Sequence, residues 1–98
     1  MKRQKPQETA KMKEALYLDL ARGSIDIRDA TRQMRKILGM TQKEYAQKIA
    51  SISPRILSEF ENGSGNPTLN TLEKIASPFG LKVTFLPPEF WRINVSED

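Results

Sequence analysis

Two helix start signals stand close together in the middle of this chain. Thr41 is followed three residues later by Glu44, the spacing of a capping box. Ser53 is followed by Pro54, and proline at a first helical position loses no hydrogen bond. Asn62 and Gly63 then end the second helix. The middle of the chain is therefore predicted to form two short helices joined by a tight turn.

Amphipathic patterns predict three more helices around this pair. The first covers residues 9–22 and ends near Gly23, the second ends at Gly39 after a cap at Asp26 or Asp29, and the last begins after Thr68. Their predicted inward residues are Met12, Leu16 and Leu20; Ile27, Ala30, Met34, Ile37 and Leu38; and Leu69, Leu72, Ile75 and Ala76. The fold class predicted is all-α, with five helices in one domain.

The C-terminal part of the chain shows a different pattern. Alternating, β-branched residues beyond Pro78 predict a short strand over residues 82–86, formed by Lys82, Val83, Thr84, Phe85 and Leu86. A lone strand has unpaired backbone groups that a second copy of the chain can satisfy, so we expect a homodimer. Phe90 and Trp91 lie beyond two prolines. These aromatic residues either fold back on the dimer or anchor a partner.

The predicted organisation is a basic, mobile arm over residues 1–8, a domain over residues 9–86 and a tail over residues 87–98. Within the domain, helix 9–22 precedes a core over residues 27–80 and the dimer strand. Since 98 residues supply too little core material for two independent domains, we expect one.

Composition narrows the classes of function. The chain has no Cys and no His, which removes thiolate nucleophiles, zinc fingers and the commonest general base, so no enzyme, metal or cofactor is expected. The sequence has no apolar run long enough for a membrane span and no secretory signal, so a cytoplasmic location is expected. From Arg28 to Arg55 there are seven basic and two acidic residues. This excess of positive charge favours an anionic partner.

The same central region resembles a known family. The matching residues are Met40, Thr41, Gln42, Glu44, Ala46, Ile49, Leu57, Glu61, Asn62, Gly63, Pro67, Leu69, Leu72, Ile75, Ala76 and Gly80. Over residues 30 to 82 the chain resembles the Cro/repressor, or xenobiotic-response-element, helix-turn-helix family. Between Ile49 and Ile52 it has one residue more than the usual turn of that family. The flanking segments look most like those of HipB-like antitoxins.

The resemblance implies a DNA-binding site. Its base contacts would be Ser53, Pro54, Arg55, Ser58 and Glu59, and its phosphate contacts Thr41, Gln42, Lys43, Asn62, Ser64 and Asn66. Arg55 can bind guanine through two hydrogen bonds. Glu59 either accepts from cytosine or holds Arg55 through a pair four residues apart. The resemblance also implies a structural ion pair between Arg35 and Glu61, although Arg35 could instead touch phosphate.

The function implied is that of a dimeric transcriptional repressor. It would bind double-stranded DNA at an inverted-repeat operator in its own promoter, as the antitoxin of a toxin-antitoxin operon does. The alternative is an antitoxin that chiefly binds and neutralises a HipA-like kinase toxin.

Overall fold

The computed structural model describes residues 6–90, and within this range the chain is all-helical. Helix α1 is Pro6–Arg22 and α2 is Ile27–Leu38. Helix α3 begins as an α-helical turn, Gln42–Glu44, and continues as a π-helical segment, Tyr45–Ala50. Helices α4 and α5 are Pro54–Glu61 and Leu69–Ala76, and a 3₁₀ turn, Ser77–Phe79, follows α5.

Helix α1 starts earlier than its apolar pattern predicts. Proline is tolerated in the first turn of a helix, and Glu8 is an acidic residue in that turn, so residues 6–8 join the helix that was predicted to start at residue 9. Residues 6–8 of the predicted arm are therefore helical, and residues 1–5 lie outside the described range. Leu16, one of its predicted inward residues, is fully buried.

Side-chain caps set the starts of the other predicted helices. The Asp26 side chain accepts from the amide of Asp29 at the start of α2, and the Thr68 side chain accepts from the amide of Thr71 at the start of α5. Helix α2 ends at Gly39, whose φ of 66° is the left-handed conformation that glycine adopts without strain. These short polar contacts are local, so the sequence pattern finds them.

One hydrophobic core joins the helices. Tyr45 lies at its centre: the side chain is fully buried, and its hydroxyl donates to the carbonyl oxygen of Ile75 at 2.8 Å. Burial raises the pKa of the Tyr45 hydroxyl, which therefore stays protonated. The other buried apolar residues are Leu16, Ala30, Met34, Ile37, Met40, Ala46, Ala50, Leu57, Phe60, Ile75 and Phe79. The core thus holds α3 against α5.

Two predictions about apolar residues are wrong. Ile27 and Leu69, both predicted to face inward, are 41% and 60% exposed. Both stand at the first position of a helix, where the neighbouring helices do not cover the side chain. Helical periodicity identifies one face of a helix but not how far along that face the packing extends.

The predicted strand over residues 82–86 does not form. Residues 81–87 have no regular secondary structure, and the range 6–90 contains no strand. A strand needs a neighbour to exchange backbone hydrogen bonds with, and residues 6–90 provide none beside the segment. A short helical turn over residues 88–90 begins the tail. None of the helices in the described range is long and apolar enough to cross a membrane.

Candidate nucleic-acid interface

Helix α3 begins with a complete capping box. The amide of Glu44 donates to the Thr41 hydroxyl at 3.1 Å, and the amide of Thr41 donates to the Glu44 carboxylate at 3.0 Å. The hydrogen bond from the Thr41 backbone lowers the pKa of Glu44. The Thr41 side chain, predicted to touch phosphate, thus serves as the acceptor that caps α3.

The π-helical segment accommodates the additional residue of this region. The hydrogen bonds of a π-helix enclose one residue more than those of an α-helix, so this segment has room inside α3 for the additional residue that the family resemblance implies. Ser51 then ends the segment with a φ of 56°, in the left-handed region, and the amide of Ile52 donates to Ala46 at 2.9 Å. The turn between α3 and α4 consequently stays short.

Helix α4 has a buried side and an exposed side. The Ser53 hydroxyl accepts from the amide of Arg55 at 3.1 Å and caps the helix. Leu57, Phe60 and Glu61 are buried against the rest of the protein. Three of the residues predicted to contact bases lie on the opposite side, namely Arg55, Ser58 and Glu59. Ser53 and Pro54 form the start of the helix.

Arg55 and Glu59 are paired on the exposed side of α4. The Arg55 Nε donates to a carboxylate oxygen of Glu59 at 3.1 Å. Glu59 also packs on Gly65, since a Cβ there would stand 3.2 Å from the carboxylate. An exposed pair of this kind contributes little to stability. The Arg55 side chain remains 87% exposed in this pair.

A buried carboxylate joins three helices at the other end of α4. Arg35 of α2 donates to both oxygens of Glu61, from Nε at 2.8 Å and from a terminal nitrogen at 2.7 Å. Gln42 of α3 donates its side-chain amide to Glu61 at 3.0 Å. Burial acts to raise the pKa of Glu61, but these hydrogen bonds and the arginine charges outweigh it, so the pKa is lowered. The predicted pair of Arg35 and Glu61 is thus present in the structure.

A short helix, a tight turn and a second helix with an exposed polar side are the geometry of a DNA-reading unit. A family model described as helix-turn-helix matches residues 32–86, more than half of the chain. The chain belongs to the helix-turn-helix family. The match is of the Cro/repressor type. No curated protein and no solved structure matches the chain.

Family membership makes this helix-turn-helix protein a DNA-binding regulator. Within residues 6–90, no group of acidic side chains is arranged to hold a metal ion. In the helix-turn-helix unit, α4 takes the position of the recognition helix. Gln42 stands at the start of α3 with one hydrogen of its amide donated to Glu61, which leaves the second for another acceptor.

The remaining predicted phosphate contacts lie around the two ends of the unit. Lys43 is exposed at the start of α3, and Asn62 and Asn66 are exposed after α4. Ser64 donates its hydroxyl to the carbonyl oxygen of Glu59 at 3.2 Å, which closes the loop under the recognition helix. Within residues 6–90, side-chain hydrogen bonds engage Ser64 but not Lys43, Asn62 or Asn66.

Two arginines of α2 escaped the sequence-based site prediction. Arg28 donates from Nε to the carbonyl oxygen of Phe60 at 3.0 Å, and Arg32 donates to the carbonyl oxygen of Glu61. Arg28, Arg32 and Arg35 are spaced by four and then three residues, which places all three on one helix face. This spacing was the sequence signal that could have identified a shared role. Counted only as positive charge, they gave no indication of this role.

The predicted dimer and partner residues lie on the C-terminal segment. Phe85 is 97% exposed, beside an apolar groove of about 270 Å³. Leu20, Ile25, Met34, Leu72 and Leu86 are among its lining residues. Phe90 is half exposed, and Trp91 lies outside the described residues. The segment thus offers one uncovered aromatic ring beside an apolar surface, and within it the Phe85 carbonyl oxygen accepts from the Thr84 hydroxyl at 3.4 Å.

Proposed function

We propose that this helix-turn-helix protein is a sequence-specific transcriptional repressor that reads operator DNA with α4. One observation carries the proposal. Helix α4 exposes Arg55, with Ser58 and Glu59 beside it, while its opposite side is buried and its last residue is bound by α2 and α3. A helix held rigidly from behind, with polar groups in front, suits insertion into the major groove.

Arg55 is proposed as the main base contact. Its Nε is held by Glu59, and the two terminal nitrogens of the guanidinium remain to donate to the O6 and N7 atoms of guanine. Gln42 and Lys43 at the start of α3, and Asn62 and Asn66 after α4, would donate to phosphates on either side, whereas the predicted contact from Ser64 is not proposed because its hydroxyl hydrogen is donated to Glu59. Phosphate contacts of this kind position the protein, and the base contacts specify the sequence.

We also propose that the repressor is a homodimer joined through residues 82–86. The support is the uncovered ring of Phe85 and the apolar groove that this segment borders. Two copies related by a two-fold axis would pair these segments and cover both grooves. The two recognition helices would then lie about 34 to 36 Å apart and read the two halves of an inverted repeat. Occupancy of the operator would block transcription.

Selection of bound sequences from random duplex DNA tests the proposal. The full chain should enrich a two-fold-symmetric site and prefer it to a scrambled duplex by about 10³-fold or more. Equal affinity for the selected and the scrambled duplex would leave a non-specific DNA binder and end the repressor proposal.

An antitoxin that also binds a kinase toxin is the second candidate. The exposed Phe85 and the half-exposed Phe90 favour it, since aromatic residues are enriched in protein interfaces. The product of the gene next to this one, purified separately, is the partner to titrate. Trp91→Ala should weaken that complex without altering operator binding, and a neighbouring protein that does not bind the chain would exclude this role.

A further inference from the structure

Helix α2 presents a row of three arginines to the last turn of α4. Arg35 binds the Glu61 carboxylate, whereas Arg28 and Arg32 bind backbone carbonyls, those of Phe60 and Glu61. The guanidinium of Arg28 also lies over the Phe60 ring, 5.4 Å from its centre. Arg28 and Arg32 therefore form hydrogen bonds with the backbone of the recognition helix, whereas Arg35 binds one of its side chains.

Hydrogen bonds from arginines have most effect at the C-terminal end of α4. The last carbonyls of a helix lack partners within it and carry the negative end of its dipole, which cations stabilise. Helix α4 has only eight residues, and a helix so short depends on tertiary contacts for its stability and direction. Gly63, with a φ of +80°, turns the chain directly past Arg28, where an added Cβ would stand 3.8 Å from Nε.

We propose that Arg28 and Arg32 are positioning residues, which set the direction of α4 and thereby the base preference, and do not neutralise phosphates. The inference rests on the proposed function of α4. Both guanidinium groups are partly buried and donate to the protein itself, and Arg32 also binds Asp29 at 2.7 Å. These contacts hold both guanidinium groups against the end of α4, and the donors that remain, among them the two terminal nitrogens of Arg28, are tested for phosphate contact by removing the charge.

Lysine and glutamine substitutions separate positioning from phosphate contact. Arg28→Lys and Arg32→Lys keep the charge but lose the planar fork of donors, while Arg28→Gln and Arg32→Gln remove the charge. Lys36→Gln, at an exposed position of the same helix, is the matched control. Each variant is titrated with the duplex recovered by selection and with a scrambled duplex, between about 50 and 200 mM salt.

We expect each lysine variant to bind the selected duplex about tenfold more weakly and the scrambled duplex as the original protein does. The glutamine variants should leave the salt dependence of binding unchanged. Lysine variants that bind like the original protein would overturn the proposal. The proposal would also be overturned if the slope of log affinity against log salt concentration fell by about one for each arginine removed, because that change marks a lost phosphate contact.

Hydrogen exchange of the free protein supplies a readout that does not involve DNA. In the lysine variants, amides in the last turn of α4 should exchange faster, while those of α5 stay protected. Unchanged exchange in α4 would contradict the proposal. If Arg55→Ala loses the preference for the selected duplex while the lysine variants keep it, only this inference is refuted. If the original protein shows no such preference, the proposed function itself is refuted.

Discussion

Arg35 and Glu61 bind each other through two parallel hydrogen bonds, of 2.8 and 2.7 Å, in the interior behind the recognition helix. Glu61 is 1% exposed, and its charge is therefore compensated by protein groups rather than by water. The pair joins α2 to the end of α4, so it connects the stability of the fold to the position of the DNA-reading surface.

Arg35→Ala should destabilise the protein by about 3 kcal/mol or more, because it leaves a buried carboxylate without its main partner. Urea unfolding followed by circular dichroism measures the change. Lys36→Ala, at an exposed position of the same helix, should change the free energy of unfolding by less than about 0.5 kcal/mol. Equal effects of the two substitutions would show that the pair contributes nothing.

Glu61 should make the stability of the protein depend on pH in the acidic range. Its pKa is lowered in the folded protein, so its stabilising effect is present above the ordinary value of 4.5 and is lost as the pH falls through the lower, folded value. Melting temperatures measured from pH 6 downwards should fall more steeply below about pH 4.5 in the original protein than in Glu61→Gln. Glu73→Gln, an exposed control, should keep the original slope. Parallel curves for the original protein and Glu61→Gln would be inconsistent with the pKa direction.

Arg55→Ala should weaken binding to the selected duplex by about 1 to 3 kcal/mol and relax the preference at one base pair in each half-site. Gln42→Ala should weaken the selected and scrambled duplexes alike, because a phosphate contact carries no sequence information. A competition assay with single-base variants of the duplex distinguishes the two. If Arg55→Ala retained the full preference, another residue would have to read that base.

Val83→Pro should convert the dimer to a monomer, because proline cannot donate a backbone hydrogen bond across the paired segments. Val83→Ala keeps that donor and serves as the control. Sedimentation velocity at several protein concentrations gives the oligomeric state. A proline variant that remained a dimer and bound the operator would place the interface elsewhere.

Deletion of Gln47 should be tolerated. Gln47 is exposed in the π-helical segment, and removing one residue there converts that segment to an ordinary α-helix while Tyr45 and Ala50 stay buried. The melting temperature and the affinity for the selected duplex should both stay close to the original values. Insertion of an alanine beside Gln47 should lower both. Loss of operator binding in a well-folded deletion variant would mean that the π-helical form itself is required.

The sequence predicted what depends on near neighbours and missed what depends on packing. Caps at Asp26, Thr41 and Thr68 act within one turn, and the helices begin where these residues indicate. The roles of Arg28 and Arg32 depend on the distance between α2 and α4, which no local pattern contains. The strand over residues 82–86 was predicted from alternation alone, which specifies no partner for its backbone.

The π-helical segment also changes how this protein should be aligned with other helix-turn-helix chains. With the one additional residue that the family resemblance implies held in this segment, position numbers counted forward from Thr41 become wrong by one after α3. Counted backward from Glu61, whose place is fixed by Arg35 and Gln42, they stay correct. A DNA-recognition code transferred from another chain by forward counting would therefore assign to Pro54 the role that we propose for Arg55.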